Sequence, residues 1–188
     1  MLSISTIWSN LVLYDFSVKA IPAPLRHKVR KIKLLLLDVD GVLTDGGIVI
    51  DDRGVESKRF DVRDGQGIVL LQYAGIEVGF ISGRSSGAVR RRAAELGVKL
   101  VYQGVGEKAE VYERIKRRTG LKDENIAYIG DDIMDIPILR AVGLAITVPN
   151  GWRGVRPVVD YITEAKGGRG AVREVSELII STQNRQRI

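Results

Sequence analysis

From residue 33 to residue 147, short apolar runs alternate with stretches of helical periodicity, and this alternation restricts the chain to few folds. The apolar runs lie at 33–38, 76–81, 98–102, 126–130 and 143–147, and helical patterns occupy 65–74, 85–96, 107–118 and 132–141. Short runs that are apolar on both faces suit strands covered on both sides, and the intervening helices supply the cover. The pattern therefore predicts an α/β domain built on a doubly wound parallel sheet. Gly75, Gly97, Gly120 and Gly143 each follow a helical stretch, where a residue in the left-handed conformation closes a helix. Residues 46–60, "GGIVIDDRGVESKRF", depart from the alternation: two strand-like runs around an Asp-Asp-Arg-Gly turn read as a β-hairpin inserted between the first strand and the first helix. No interruption is long enough to hold a large cap domain.

The expected organisation is an N-terminal extension at 1–32, one α/β domain at 33–180 and a tail at 181–188. With 188 residues and 45% hydrophobic content, the chain can bury a full core. The net charge of +6 suggests a polyanion partner until it is located along the chain. Residues 1–33 carry Lys19, Arg26, Lys28, Arg30, Lys31 and Lys33 against Asp15 alone, so five of the six surplus charges sit there. A basic leader on a nearly neutral domain argues against a nucleic-acid protein. Asp15 and Lys19 interrupt any membrane-length run in the leader, and no basic region precedes its apolar stretch, so neither a signal peptide nor membrane insertion is expected. "IPAPLRHKVRK" reads as a Pro-punctuated linker with a solvated charge run. The absence of cysteine excludes disulfides, Cys-ligated zinc and a Cys nucleophile, and it fits a reducing cytoplasm. His27 is the single histidine and lies in the leader, which makes Ser-His chemistry or a His cluster improbable.

Parallel sheets bind ligands at the carboxyl ends of their strands. The first strand ends in "DVDG", where Asp38 and Asp40, two residues apart in an extended segment, point the same way and Gly41 lets the chain turn away. The second ends in "ISGRSS", placing Ser82, Gly83 and Arg84 at the start of a helix whose free N–H groups favour an anion. The fourth ends in "IGDDIMD", with Asp131 and Asp132 at the strand end and Asp135 one turn on, while Lys108 opens the preceding helix. Taken singly, several have plainer roles: Asp131 or Asp132 as an N-cap, contributing roughly 1 kcal/mol, Ser82 as a turn residue and Lys108 as a solvated charge. Asp38 and Asp40 are harder to explain that way, because adjacent carboxylates repel unless a cation lies between them. With Asp131 and Asp132 at the same edge, the set points to a hard dication, and magnesium suits such oxygen ligands.

"DVDGVLTD", "ISGR", Lys108 and "GDDIMD" resemble, in order and spacing, the four motifs of the haloacid dehalogenase-like phosphohydrolases over residues 33–165. The small size, the missing cap, the hairpin, "RFDVRDGQG" and "GGRGAVREV" look closer still to a branch of that family that acts on the phosphate of an eight-carbon sugar acid. That branch serves lipopolysaccharide synthesis in Gram-negative bacteria. The resemblance implies a magnesium-dependent tetramer in which Asp38 attacks phosphorus to form an aspartyl-phosphate. Asp40 would protonate the leaving sugar oxygen and then activate water. Magnesium would be held by Asp38, the Asp40 backbone carbonyl and Asp131, with Asp132 and Asp135 supporting. Ser82 and Lys108 would hold the phosphoryl oxygens. Arg63 and Arg84 are candidates for the substrate carboxylate, with a surface role as the plainer alternative.

The sequence leaves three rivals: a phosphatase for a nine-carbon sugar acid, a phospho-receiver domain and a non-catalytic binding module. The hairpin, with Ile48 and Ile50 on one face, is expected to pair with its copies in the tetramer. Residues 166–175, "KGGRGAVREV", read either as a flexible linker before a short C-terminal helix or as a lid that brings Arg169 and Arg173 to a neighbouring subunit's site. The lid reading expects truncation after Ala165 to leave a folded tetramer.

Overall fold

Leu34–Leu37 forms the central strand, and its four leucines are all buried, as a strand covered on both faces requires. The computed structural model describes residues 21–183. Its strands are β1 (Leu34–Leu37), β2 (Val49–Ile50), β3 (Glu56–Ser57), β4 (Glu77–Ile81), β5 (Leu100–Tyr102), β6 (Ile126–Ile129), β7 (Leu144–Thr147) and β8 (Tyr161–Ile162). Its helices are α1 (Ala23–Arg30), α2 (Val62–Tyr73), α3 (Gly87–Glu95), α4 (Lys108–Thr119), α5 (Ile136–Ala141) and α6 (Ala171–Thr182). Six strands form one sheet in the order β5-β4-β1-β6-β7-β8, with every pairing parallel. From β1 the chain winds outward through β4 and β5, then returns to the other side of β1 for β6, β7 and β8. This reversal creates a topological switch point at the carboxyl end of β1.

The period-two alternation of β1 feeds two cores. Leu35 and Leu37 join α1, α2, α3 and α6 through Val29, Ile68, Leu71, Val89 and Val175. Leu34 and Leu36 face the opposite layer, where Val111, Tyr112 and Ile115 of α4 meet Ile138 and Leu139 of α5. The inserted hairpin is present, with β2 and β3 antiparallel and separate from the main sheet. Among the described residues no helix is long and apolar enough to cross a membrane.

Several expectations require correction. The presumed linker is helical: α1 starts behind Pro22, carries Pro24 in its first turn where no intrahelical donor is lost, and places His27, Lys28 and Arg30 in its last turn. Val29 and Ile32 are buried in the core, while Lys28 pairs with Asp160 at 2.6 Å and Lys31 with Glu124 at 2.8 Å, so part of the basic leader is used within the domain. The stretch 132–141 is a 3-10 turn, Ile133–Asp135, followed by the short α5, because the carboxylates of Asp132 and Asp135 take up the local amides. Gly75, Gly97 and Gly120 do adopt positive φ, but Gly143 does not. A Cβ at Gly143 would lie 2.5 Å from the Glu124 Cα, so glycine is required there by close backbone approach.

Residues 166–170 are held to their own chain. The Gly168 amide donates to Val42 O at 2.8 Å and the Gly167 amide to Asn150 Oδ1 at 2.8 Å. A Cβ at Gly167 would overlap the Gly41 carbonyl oxygen at 1.7 Å. The fully buried Asp64 accepts from the amides of Gly170 and Arg173 and so caps α6 from α2. Helix α6 then buries Val172, Val175, Leu178, Ile179 and Ile180. Segment 166–175 is therefore not a flexible linker, and truncation after Ala165 would strip a buried face from the core, against the folded truncation expected from the sequence. The reading of a leader without signal peptide or anchor, and most of the tail 181–188, lie outside the described residues.

Candidate active site

Asp38 and Asp40 flank Val39, which is buried in the core, so the two carboxylates share the opposite side of the chain. The Asp38 amide donates to Ile129 O at 2.9 Å, carrying the β1–β6 pairing one residue further and bringing the end of β6 alongside. Gly41 follows with φ of 97°, and a Cβ there would stand 2.0 Å from Asp131 Oδ2. Any side chain at this position would displace the Asp131 carboxylate, so glycine meets both a conformational and a steric requirement.

Asp38, Asp40, Ser82, Gly83, Arg84, Lys108, Asp131 and Asp132 line one cleft of about 190 Å³, together with Val105 and Met134. Ser82, buried at the end of β4, accepts from the Arg84 amide at 3.2 Å, which leaves its hydroxyl proton to donate into the cleft. Lys108 Nζ lies 2.8 Å from Asp38 Oδ1 and 2.7 Å from Asp135 Oδ1, with 5% of the residue exposed. Burial pulls this ammonium down, but Asp38 and Asp135 outweigh the burial and its pKa lies above the ordinary lysine value. It is a fixed positive charge.

The three clustered carboxylates differ in what remains free. Asp135 Oδ1 accepts from Lys108 and from the Tyr128 hydroxyl at 2.5 Å, and Oδ2 accepts from the amides of Asp131 and Asp132 at 2.9 and 3.0 Å. Its acceptor capacity is used, and it acts as the anchor for Lys108. Asp132 is exposed and caps the 3-10 turn. Asp131 Oδ1, by contrast, is buried without a hydrogen-bond partner. Ligand oxygens of Asp38, Asp131 and Asp135 lie within 4.8 Å of one another. Burial, then the charges of Asp38 and Asp135, push Asp131 up to about 8, and burial, offset in part by Lys108, pushes Asp38 up to about 6. An orphaned buried oxygen among repelling carboxylates is the arrangement a hard cation relieves, so these residues fit a divalent metal held between Asp38 and Asp131.

Arg63, Arg169 and Arg173 do not line the cleft. Arg63 pairs with Asp61 and donates to Arg169 O at 2.8 Å; Arg173 pairs with Glu177 at 2.5 Å; Arg169 is exposed, 3.7 Å from Asp45 Oδ2. Four contributors were not anticipated. Lys58 and Glu56 come from the hairpin, with Lys58 paired to Asp40 and to Glu56. Tyr128 orients Asp135, and Asn150 bridges Gly41 O and the Gly167 amide. Tyr128 alone left a trace in the sequence, as the one polar tip in the strand "IAYI".

A carboxylate directly after the first strand, a second one two residues on and a buried lysine, all meeting where the strand order reverses, agree with the comparisons to known proteins. The family model for haloacid dehalogenase-like hydrolases matches residues 66–143, and the chain belongs to that family. Within it, the 3-deoxy-D-manno-octulosonate 8-phosphate phosphatase KdsC of Escherichia coli is 41% identical over 165 residues, 88% of either chain. The crystal structure of the same-named phosphatase from Yersinia pestis matches with a TM-score of 0.87 at 39% identity, over 88% of this chain and 90% of that one. The Moraxella catarrhalis phosphatase, solved in complex with magnesium, phosphate and KDO, matches with a TM-score of 0.83 at 45% identity, over 85% of this chain and 92% of that one. The phospho-receiver reading falls with this membership, and the intact carboxylates and Lys108 set aside a non-catalytic module.

Proposed function

We propose that this chain is a magnesium-dependent phosphatase that hydrolyses 3-deoxy-D-manno-octulosonate 8-phosphate (KDO 8-phosphate) to KDO and inorganic phosphate, a step in lipopolysaccharide biosynthesis. The observation that carries the reading is the buried Asp38–Asp131 pair with an orphaned oxygen, set beside a lysine that Asp135 holds on Asp38. The names of relatives at 41% and 45% identity supply the substrate.

Asp38 attacks phosphorus in line, forming an aspartyl-phosphate as the bridging P–O bond breaks. Asp40 gives its proton to the departing sugar oxygen and, as a carboxylate, then takes one from the water that attacks phosphorus and frees Asp38. The Ser82 hydroxyl and Lys108 Nζ donate to the non-bridging oxygens, where charge accumulates. Asp38, Asp131 and the Asp40 backbone carbonyl would hold magnesium, whose positive charge would let two carboxylates and a phosphate dianion share one spot. Asp132 and Asp135 support that set, Asp135 by fixing Lys108. Arg84, in the cleft lining, is the candidate for the sugar carboxylate, while Arg63 holds the Arg169 carbonyl and Arg173 pairs with Glu177 along α6.

The exposed apolar hairpin supports assembly into a homotetramer, with copies of the hairpin packed together. The lack of cysteine is in keeping with work in the cytoplasm. The specificity is tested by comparing kcat/KM on KDO 8-phosphate with that on a nine-carbon sugar acid 9-phosphate. Preference for the eight-carbon ester is expected, and preference for the nine-carbon ester would replace the substrate while leaving the chemistry intact.

A further inference from the structure

The hairpin does more in this structure than present an apolar surface. Lys58, directly after β3, has only 1% of its side chain exposed and pairs with the Asp40 carboxylate. The same ammonium lies 2.9 Å from Glu56 Oε1, and Glu56 Oε1 in turn lies 3.4 Å from Arg84 Nη2. An unbroken line of charges therefore runs from the loop after β1, through the hairpin, to the loop after β4. It joins the carboxylate assigned to proton transfer to an element outside the main sheet. A carboxylate on a loop can turn about its own side-chain bonds, and proton transfer requires it within hydrogen-bond reach of the leaving oxygen. Lys58, fixed by burial and by Glu56, removes that freedom.

We infer that Lys58 is a positioning residue for Asp40, and that the hairpin, by seating Lys58, sets the orientation of the acid–base group. The inference rests on the phosphatase reading above. Lys58 does not touch the reacting phosphorus; it acts through Asp40. Two consequences separate it from a substrate contact and from a general structural role. Its removal should lower kcat and leave KM nearly unchanged. It should also slow the steps that need a proton moved and spare the one that does not.

The test uses Lys58→Met and Lys58→Gln in the full chain, assayed with magnesium on KDO 8-phosphate and on p-nitrophenyl phosphate, whose phenolate leaves without protonation. On the sugar phosphate, kcat should fall about a hundredfold, within the range for loss of general acid–base catalysis. On the aryl ester, the first turnover should stay fast and give a burst of about one nitrophenolate per chain, followed by slow turnover while the aspartyl-phosphate waits for an activated water. In an Asp40→Asn background, replacing Lys58 should change neither rate by more than about threefold, because residues acting through one another are not additive. The inference is overturned if either variant keeps wild-type kcat, raises KM at unchanged kcat, loses the burst, or adds its full effect to Asp40→Asn. Absence of phosphate release by the wild type from either ester would instead defeat the phosphatase reading.

Discussion

Asp38, Asp131 and Asp135 sit within 4.8 Å of one another, yet their partners divide the labour. Asp135 is saturated by four donors, Asp38 faces Lys108, and Asp131 keeps an oxygen with no partner. Asp38→Asn keeps the shape and removes the nucleophilic charge, so turnover should disappear while the thermal transition survives. Activity within about tenfold of wild type, only ~1.4 kcal/mol in the barrier, would exclude Asp38 as nucleophile. The raised pKa values predict a pH effect whose sign is definite. In chelated protein, Asp38 at about 6 and Asp131 at about 8 hold protons that the unfolded chain, near 3.8, has lost. The folded state binds more protons across that window, so stability should fall as pH rises from 5.5 to 8. Magnesium should reverse the trend and raise Tm more at pH 8 than at pH 5.5. A magnesium shift equal at both values would show that these carboxylates do not face the ion. At this scale the strand-end residues were legible, because Asp38, Asp40, Ser82 and Asp131 follow apolar runs that announce their position. Lys58 was not: within "ESKRF" it is one charge among several, and only the folding back of the hairpin brings it to Asp40.

Among the elements, α6 has the clearest structural duty. Capped by Asp64 and packed on α2 and α1, it contributes a full apolar face to the core. Truncation after Ala165 should therefore yield no folded protein. The milder Leu178→Ala, at a position 1% exposed, should cost about 2–5 kcal/mol in urea unfolding. A loss below about 0.5 kcal/mol would mean that α6 is not part of the cooperative core. Strand β1 could be read directly, since four consecutive leucines admit no polar face. Helix α1 could not, because "LRHKVR" hides Val29 among charges that α1 turns toward solvent and toward Asp160. The split of 132–141 was equally hidden: apolar spacing says nothing about carboxylates that capture their own amides. Gly143 showed the limit of reading a glycine by its place alone, since a missing side chain and a left-handed turn look identical in sequence.

For the whole molecule, the hairpin presents Ile48, Val49, Ile50 and Val55, exposed by 55%, 62%, 58% and 57%. An isolated ribbon of this kind is marginal in water, and lysine on such a surface blocks pairing between copies. In the proposed tetramer, Val49→Lys with Ile50→Lys should reduce the sedimentation mass from four chains to one; an unchanged tetramer mass would remove the hairpin from the interface, and a wild type that sediments as one chain would overturn the tetramer itself. Doubly wound topology follows from the order of elements, but which residues of separate loops meet over the cleft depends on how hairpin, strap and sheet pack, and so became visible only in the fold. In the proposed reaction the carboxylate site, with magnesium, removes the phosphate of KDO 8-phosphate. Its most direct test is phosphate release from that ester in excess EDTA, followed by titration with magnesium. No release is expected under EDTA, and stoichiometric release of phosphate and KDO once magnesium is in excess. Undiminished release in EDTA, or none at saturating magnesium, would contradict it.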